Sequence, residues 1–172
     1  MEIVDIAYLA GLVDGEGCFA VRKVHKYFTP CFTMKLRIDD KPLLFYLQTL
    51  TRVGHVTRVS SKSRRVSGKK ECDTATWQVS GKQCQILVHL FRSYPLKGQK
   101  KQDFDLWAES VEHYVSGNSA ILEKYWLLLK NGRCMRAKEA MGVSLGLDQE
   151  IAAERQIQET VAQLLPKTIK LL

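Results

Sequence analysis

Residues 9–17 read Leu9-Ala10-Gly11-Leu12-Val13-Asp14-Gly15-Glu16-Gly17, an apolar run with small residues that passes into alternating glycine and acid. The first half suits a short helix. A glycine inside a helix costs about 1 kcal/mol relative to alanine, so Gly11 calls for a reason, and close approach of a second backbone supplies one. Gly11 and Gly15 stand at i and i+4, on one helix face, and that face can meet another helix with almost no side chain between. Gly15 and Gly17 are expected to let the chain leave the helix through conformations that a Cβ resists. The product is a tightly packing helix that delivers a carboxylate, Glu16, at its end, with Asp14 beside it.

A chain of 172 residues buries one good core and is most simply one domain. Hydrophobic residues at 45% and charged residues at 26% are ordinary for a globular protein and do not indicate disorder. The net charge is +8, and its distribution says more than its total. Residues 1–103 hold 18 Lys and Arg against 9 Asp and Glu, whereas 104–172 hold 8 against 9. A solubility surface has no reason to be segregated in this way, so nucleic acid is the favoured partner. The five cysteines are odd in number and form no CxxC pair, which argues against a structural zinc site or a disulfide framework and for a reducing, intracellular setting. The four histidines are scattered over different elements, which disfavours a histidine-metal nuclease; His89 is expected to be packed. Glu2 and Asp5 stand where a signal peptide would be basic, and no apolar run reaches the roughly 18 residues needed to span a bilayer; no membrane partner is expected.

In order along the chain, residues 5–14 are predicted to form a helix with Asp5 as N-cap, followed by a strand from Gly17 to Tyr27 and a turn over Tyr27-Phe28-Thr29-Pro30. Phe32, Met34, Leu36 and Ile38 alternate with Thr33, Lys35, Arg37 and Asp39, the period of a strand buried on one face. By the same alternation Phe19 and Val21 point to the core and Cys18, Ala20, Arg22, Val24 and Lys26 to the other side. Asp40 and Pro42 open a second helix that ends near Arg52. Two strands, His55–Ser60 and Thr74–Ser80, flank a basic hairpin tip carrying Lys62, Arg64, Arg65, Lys69 and Lys70. A third helix over Gly81–Arg92 presents Ile86, Leu87, Leu90 and Phe91. A basic connection, residues 94–101, leads to an amphipathic helix over 102–114, and further helices fit 119–130, 136–141 and 148–165. The order is α-β-β-α-β-β-α with added C-terminal helices: an α+β fold whose curved four-stranded antiparallel sheet turns one wet, basic face towards DNA. Residues 1–115 are expected to form the DNA-binding core, which also carries the Glu16 helix end, and 116–172 a helical extension packed on the same domain.

Residues 9–17 resemble the motif of single-motif LAGLIDADG homing endonucleases, matching at Leu9, Ala10, Gly11, Leu12, Asp14 and Gly17, with Val13, Gly15 and Glu16 as substitutions that keep the chemistry. The resemblance extends more loosely to about Tyr114. It implies the same core, a homodimer, a long DNA site and Mg²⁺-dependent cleavage leaving short 3′ overhangs, with Glu16 in the place of the metal-binding acid and Asp14 as its partner at the helix end. It also implies a polar residue after the second strand that positions water, matched by Asp39 or Asp40. A basic residue near the scissile phosphate is matched by Lys97 or Lys100, with Gln99 in or near the aligned place. The arginine that some members carry at the start of the second helix has no counterpart, since Leu43 and Leu44 stand there.

Strand-borne Arg, Lys and Gln reach base edges in the major groove, and flanking cations hold phosphates. By alternation the base readers are Arg22, Lys26, Lys35, Arg37, Arg58 and Gln78, and the tip cations Lys62, Arg64, Arg65, Lys69 and Lys70 contact phosphates. Hydrolysis requires an activated water and neutralised transition-state charge, which divalent metals supply. Glu16 is the best carboxylate for this, with the Gly15 carbonyl expected to be free beside it; Mg²⁺ suits such oxygen donors, with Mn²⁺ as the alternative. One motif per chain against two DNA strands points to a two-fold homodimer, packed through Leu9, Gly11, Leu12 and Gly15, on a near-palindromic target. The rival reading is a non-cleaving binder of this fold, an intron RNA maturase or a DNA-binding regulator. A basic module unrelated to nucleic acid fits the charge segregation less well.

Overall fold

The computed structural model describes residues 3–60 and 73–140, with side chains up to residue 132. Helix α1 (Ile3–Glu16) runs into β1 (Gly17–Val24) and β2 (Tyr27–Arg37). A 3-10 turn (Ile38–Asp40) then opens α2 (Lys41–Thr51), which is followed by β3 (His55–Val59) and β4 (Thr74–Ser80). A second 3-10 turn leads into α3 (Cys84–Ser93), then come α4 (Lys100–Val115) and α5 (Leu122–Ala140). The four strands form one antiparallel sheet in the order β1-β2-β4-β3. This is the α+β architecture that the periodicity predicts.

α1 begins earlier than expected, so Asp5 lies within its first turn rather than at the N-cap. There its charge still suits the positive end of the helix dipole, and it accepts a hydrogen bond from the Tyr46 hydroxyl at 2.6 Å. Ile6, Leu9, Ala10 and Val13 are the buried face of the helix, spaced as one stripe of a 3.6-residue period.

The first hairpin turns sooner than predicted. Val24 pairs with Tyr27, so the turn is His25-Lys26, with His25 at φ 54°, and Tyr27 through Pro30 belong to β2. Proline signals a turn in sequence, but Pro30 is paired only with Val21 of β1. The ladder with β4 starts one residue later, at Cys31. Pro30 therefore occupies a locally outer stretch of strand, where its missing N–H costs no ladder bond on the β4 side.

Phe19, Val21, Phe32, Met34, Ala75, Trp77 and Val79 fill the covered face, and their rings meet Phe91, Phe104 and Trp107 from α3 and α4. The inward face of α3 is Cys84, Leu87, Val88 and Phe91, not the set that includes Ile86, which is 44% exposed. Gly81–Gln83 form the 3-10 turn and the helix starts at Cys84, whose own burial shows the 84, 87, 88, 91 stripe; His89 is exposed, contrary to expectation. Burial pushes the Cys84 thiol up to about 12, with Cys31 nearby adding to the shift. Helix α5 continues past Lys130 through residues expected to form a separate piece. It docks through Leu122, Tyr125 and Leu129, Trp126 packs on Phe28, and Lys23 reaches Glu123 at 3.3 Å. The helix expected over 148–165 lies outside the described residues. Among the described residues no helix is long and apolar enough to cross a membrane.

Candidate functional site

The end of α1 meets the sheet at Gly17, where an added Cβ would lie 2.7 Å from the Val13 carbonyl oxygen and 3.0 Å from the Phe32 ring. Glycine is required there for close packing. The expected release through glycine-only conformations is not what happens, since neither Gly15 nor Gly17 has positive φ. Glu16, one residue earlier, is exposed and has neither a hydrogen bond nor an ion pair among the described residues. No group of three or more His, Cys, Asp or Glu placed to hold a metal ion occurs among them.

The Gly15 carbonyl is not free as expected: it accepts a hydrogen bond from Lys100 Nζ. Asp14 accepts the backbone N–H of Lys97 at 2.9 Å and that of Gly98 at 3.2 Å. Its two oxygens thus clasp the connection ahead of α4 to the end of α1. A Cβ on Gly98 would lie 3.1 Å from Asp14 Oδ1. Lys97 and Lys100 are thereby brought to the motif, one by its backbone and one by its ammonium group. The clasp was not expected from sequence; an aspartate followed 83 residues later by a Lys-Gly pair carries no local signal. Asp39 is held by Arg37, Nη2 to Oδ2 at 2.8 Å. Asp40 occupies the N-cap position of α2 without a capping bond and has no partner among the described residues.

Cross-strand partners share a face, so the register defines the open side of the sheet. Arg22 lies opposite Thr29, Thr33 opposite Gln78, Lys35 opposite Thr76 and Arg37 opposite Thr74. Arg22, Lys35, Arg37 and Gln78 therefore line one face, and Arg22 Nη2 donates to Gln78 Oε1 at 3.2 Å. Lys26 sits in the hairpin turn instead, its ammonium over the Tyr27 ring. Arg58 departs from expectation: it pairs with Ala75, a buried position, and so belongs to the helix-side register, where it bonds to Asp73. Because β3 starts its ladder with His55 opposite Gln78, His55 and Thr57 hold the open-face positions, and strict alternation from His55 would have found them. Lys62, Arg64, Arg65, Lys69 and Lys70 lie outside the described residues.

Gly11 and Gly15 are exposed, with nothing within 4 Å of an added Cβ. Val4 (73% exposed) and Tyr8 (49%) continue their line at the 4, 8, 11, 15 spacing of one helix face, beside exposed Ala7. This seam was legible in the sequence as a continuation of the glycine spacing towards the N-terminus. Leu9 is not part of it: at 0% exposure it belongs to the core of its own chain. Leu12 is half-buried at the edge.

A motif helix that abuts an open four-stranded sheet is the fold of LAGLIDADG homing endonucleases. The LAGLIDADG endonuclease family matches residues 9–111, and the chain belongs to that family. It is similar in structure to an archaeal intron-encoded homing endonuclease, I-Vdi141I, complexed with DNA (TM-score 0.60, 18% identity, 76% of this chain and 85% of that one). It is also similar to the homing endonuclease I-TnaI (TM-score 0.55, 22% identity, 92% and 97%). The LAGLIDADG meganuclease I-AabMI, bound to uncleaved DNA, matches with a TM-score of 0.57 and 22% identity over 70% of this chain. The matched region spans only 43% of the I-AabMI chain.

Proposed function

We propose that this chain is a site-specific homing endonuclease. In this reading it binds a long, near-palindromic duplex as a homodimer and hydrolyses both strands with a divalent metal, leaving short 3′ overhangs. The observation that carries the reading is the end of α1, where an exposed Glu16, without a partner among the described residues, adjoins a glycine seam that none of them covers. A glycine inside a helix, such as Gly11, costs about 1 kcal/mol relative to alanine; none of the described residues comes within 4 Å of a Cβ added at Gly11 or Gly15, whereas a second α1 packed on this face would require both. Two-fold packing of the seam brings two Glu16 carboxylates near the axis, one for each scissile phosphate.

Glu16 and the Gly15 carbonyl are the oxygen donors that would hold a divalent cation, Mg²⁺ with Mn²⁺ as the alternative. The bound ion supplies an activated water and neutralises charge developing on the phosphate. Lys100 then exchanges the Gly15 carbonyl for a phosphate oxygen, and the Asp14 clasp holds Lys97 and Lys100 at the helix end while it does so. Asp40, whose carboxylate is uncommitted, orients water; Asp39 is held by Arg37. Arg22, Lys35, Arg37 and Gln78 read base edges, and Lys26 with the tip cations contacts phosphates. The protein acts where DNA is accessible inside a cell or organelle.

The test is to incubate wild type and Glu16→Gln with a randomised duplex library in Mg²⁺, sequencing cleaved ends and bound uncut molecules. Cleavage at near-palindromic sites by wild type, lost in Glu16→Gln with binding kept, supports the proposal. Selective binding without cleavage by either protein replaces it with a DNA-binding regulator. Absence of any duplex selection directs the assay to intron RNA and a maturase role.

A further inference from the structure

Arg22 on β1 and Gln78 on β4 are separated by β2, yet their side chains are hydrogen-bonded at 3.2 Å. Arg22 stands opposite Thr29 and Gln78 opposite Thr33, so the bond crosses β2 at the position of Cys31. That position belongs to the open-face register but is only 4% exposed, as a side-chain bridge across it requires. We infer that Arg22 and Gln78 act as one coupled reader of a guanine, used once in each half of the DNA site. The inference rests on the duplex-binding reading proposed above and adds the identity of one base.

The chemistry of the pair selects that base. A free glutamine reads adenine through both ends of its amide, accepting from N6 and donating to N7. Here Oε1 already spends one of its two lone pairs on Arg22, which ties the acceptor end of the amide to the guanidinium and leaves its NH₂ as the end open to a base. The pair is therefore rich in donors, the remaining guanidinium N–H groups and the Gln78 NH₂, with one Oε1 lone pair as its sole remaining acceptor. Guanine, with acceptors at O6 and N7, is the base edge that such a donor-rich surface fits best; adenine and cytosine each place a donor amine against it. Gln78 also holds an exposed arginine in one orientation, reducing the rotamer freedom it loses on binding.

The test uses the full chain carrying Glu16→Gln as reference, with Arg22→Ala, Arg22→Lys, Gln78→Ala and the Arg22→Ala/Gln78→Ala pair added to it. Bound molecules are selected from a randomised duplex library and sequenced, and unchanged thermal midpoints verify that these surface changes leave the fold intact. The reference should select guanine at one symmetry-related position per half-site, by roughly 5- to 150-fold over other bases. Arg22→Ala and Arg22→Lys should abolish that preference, Gln78→Ala should weaken it at the same position, and the double variant should match Arg22→Ala alone. Two results overturn the inference. In one, Gln78→Ala leaves the guanine intact and relaxes an adenine elsewhere, which makes the residues independent readers. In the other, Arg22→Ala weakens all sequences alike and lowers the salt slope by about one, which makes Arg22 a phosphate contact. If the reference selects no duplex sequence, site-specific DNA binding itself fails and takes this inference with it.

Discussion

Adding a methyl group to the α1 seam separates the stability of one chain from that of a pair, because the two effects have opposite signs. Gly11→Ala and Gly15→Ala each place a Cβ where nothing lies within 4 Å, so within one chain neither creates a clash. Each replaces the poorest ordinary helix former with the best and should stabilise the isolated chain by about 0.5–1 kcal/mol. If the seam packs on its symmetry mate, the same methyl overfills a backbone-to-backbone contact at about 1–3 kcal/mol. Two-fold symmetry introduces the change twice, so dimerisation weakens by about 2–6 kcal/mol, at least about 30-fold in Kd. Sedimentation equilibrium over a dilution series gives the dimer constant, and urea unfolding below that constant gives the stability of the chain. The expected pattern is a higher urea midpoint at low concentration together with loss of dimer at high concentration. Unchanged self-association in both variants would refute the assignment of this face to a second copy.

Four further outcomes follow from local geometry. Asp14→Ala removes the acceptor for the Lys97 and Gly98 N–H groups; cleavage should fall by about 100-fold through misplaced lysines while DNA affinity changes little, and Asp14→Asn, which keeps one acceptor oxygen, should fall between. Gly17→Ala forces a Cβ to 2.7 Å from the Val13 carbonyl oxygen and should destabilise the chain by about 1–3 kcal/mol in urea unfolding. Tyr125→Phe deletes the hydrogen bond from its hydroxyl to Glu109 and should cost about 1 kcal/mol, read from the same unfolding curves. Burial holds the Cys84 thiol at about 12 against an ordinary 9, and burial with the Glu109 bond holds the Tyr125 phenol at about 12 against 10. Both groups are therefore neutral in the folded chain at pH values where the unfolded chain ionises. The contribution of these two groups to stability should be constant below about pH 9 and be lost between 9 and 12, so the alkaline decline in stability should be shallower in Cys84→Ala with Tyr125→Phe.

The sheet was legible because Phe32 through Arg37 alternate cleanly and because Thr74–Ser80 is rich in strand formers. Its first hairpin was not, since the strongest local signal, Pro30, is tolerated by a strand that has no β4 neighbour at that point. His25 takes the left-handed turn position with no glycine to mark it. On the open face, Arg22, Lys35, Arg37 and Gln78 followed from period-two counting; Arg58 failed because the register of β3 is set by its partner strand, and a slip of one residue exchanges faces. The seam residues Gly11 and Gly15 were readable from their spacing. Leu9 was not separable from them until packing placed it in the core. The Asp14 clasp was invisible, since it joins residues distant in sequence through backbone N–H groups that every residue except proline has.

The density of the nine-residue motif has a physical cause: it satisfies constraints on several sides of one helix at once. Leu9, Ala10 and Val13 bind the core, Gly11 and Gly15 keep the opposite face bare, and Asp14 ties down the segment that carries Lys97 and Lys100. Gly17 lets the helix end press against Phe32, and that close junction fixes where Glu16 emerges. Moving any one of these residues by a single position rotates it about 100° around the helix and exchanges core for seam or clasp for solvent. The position of Glu16 is therefore set by packing on three sides rather than by bonds to its own carboxylate. That arrangement leaves the carboxylate without a partner among the described residues, as the cation-binding role proposed for it requires.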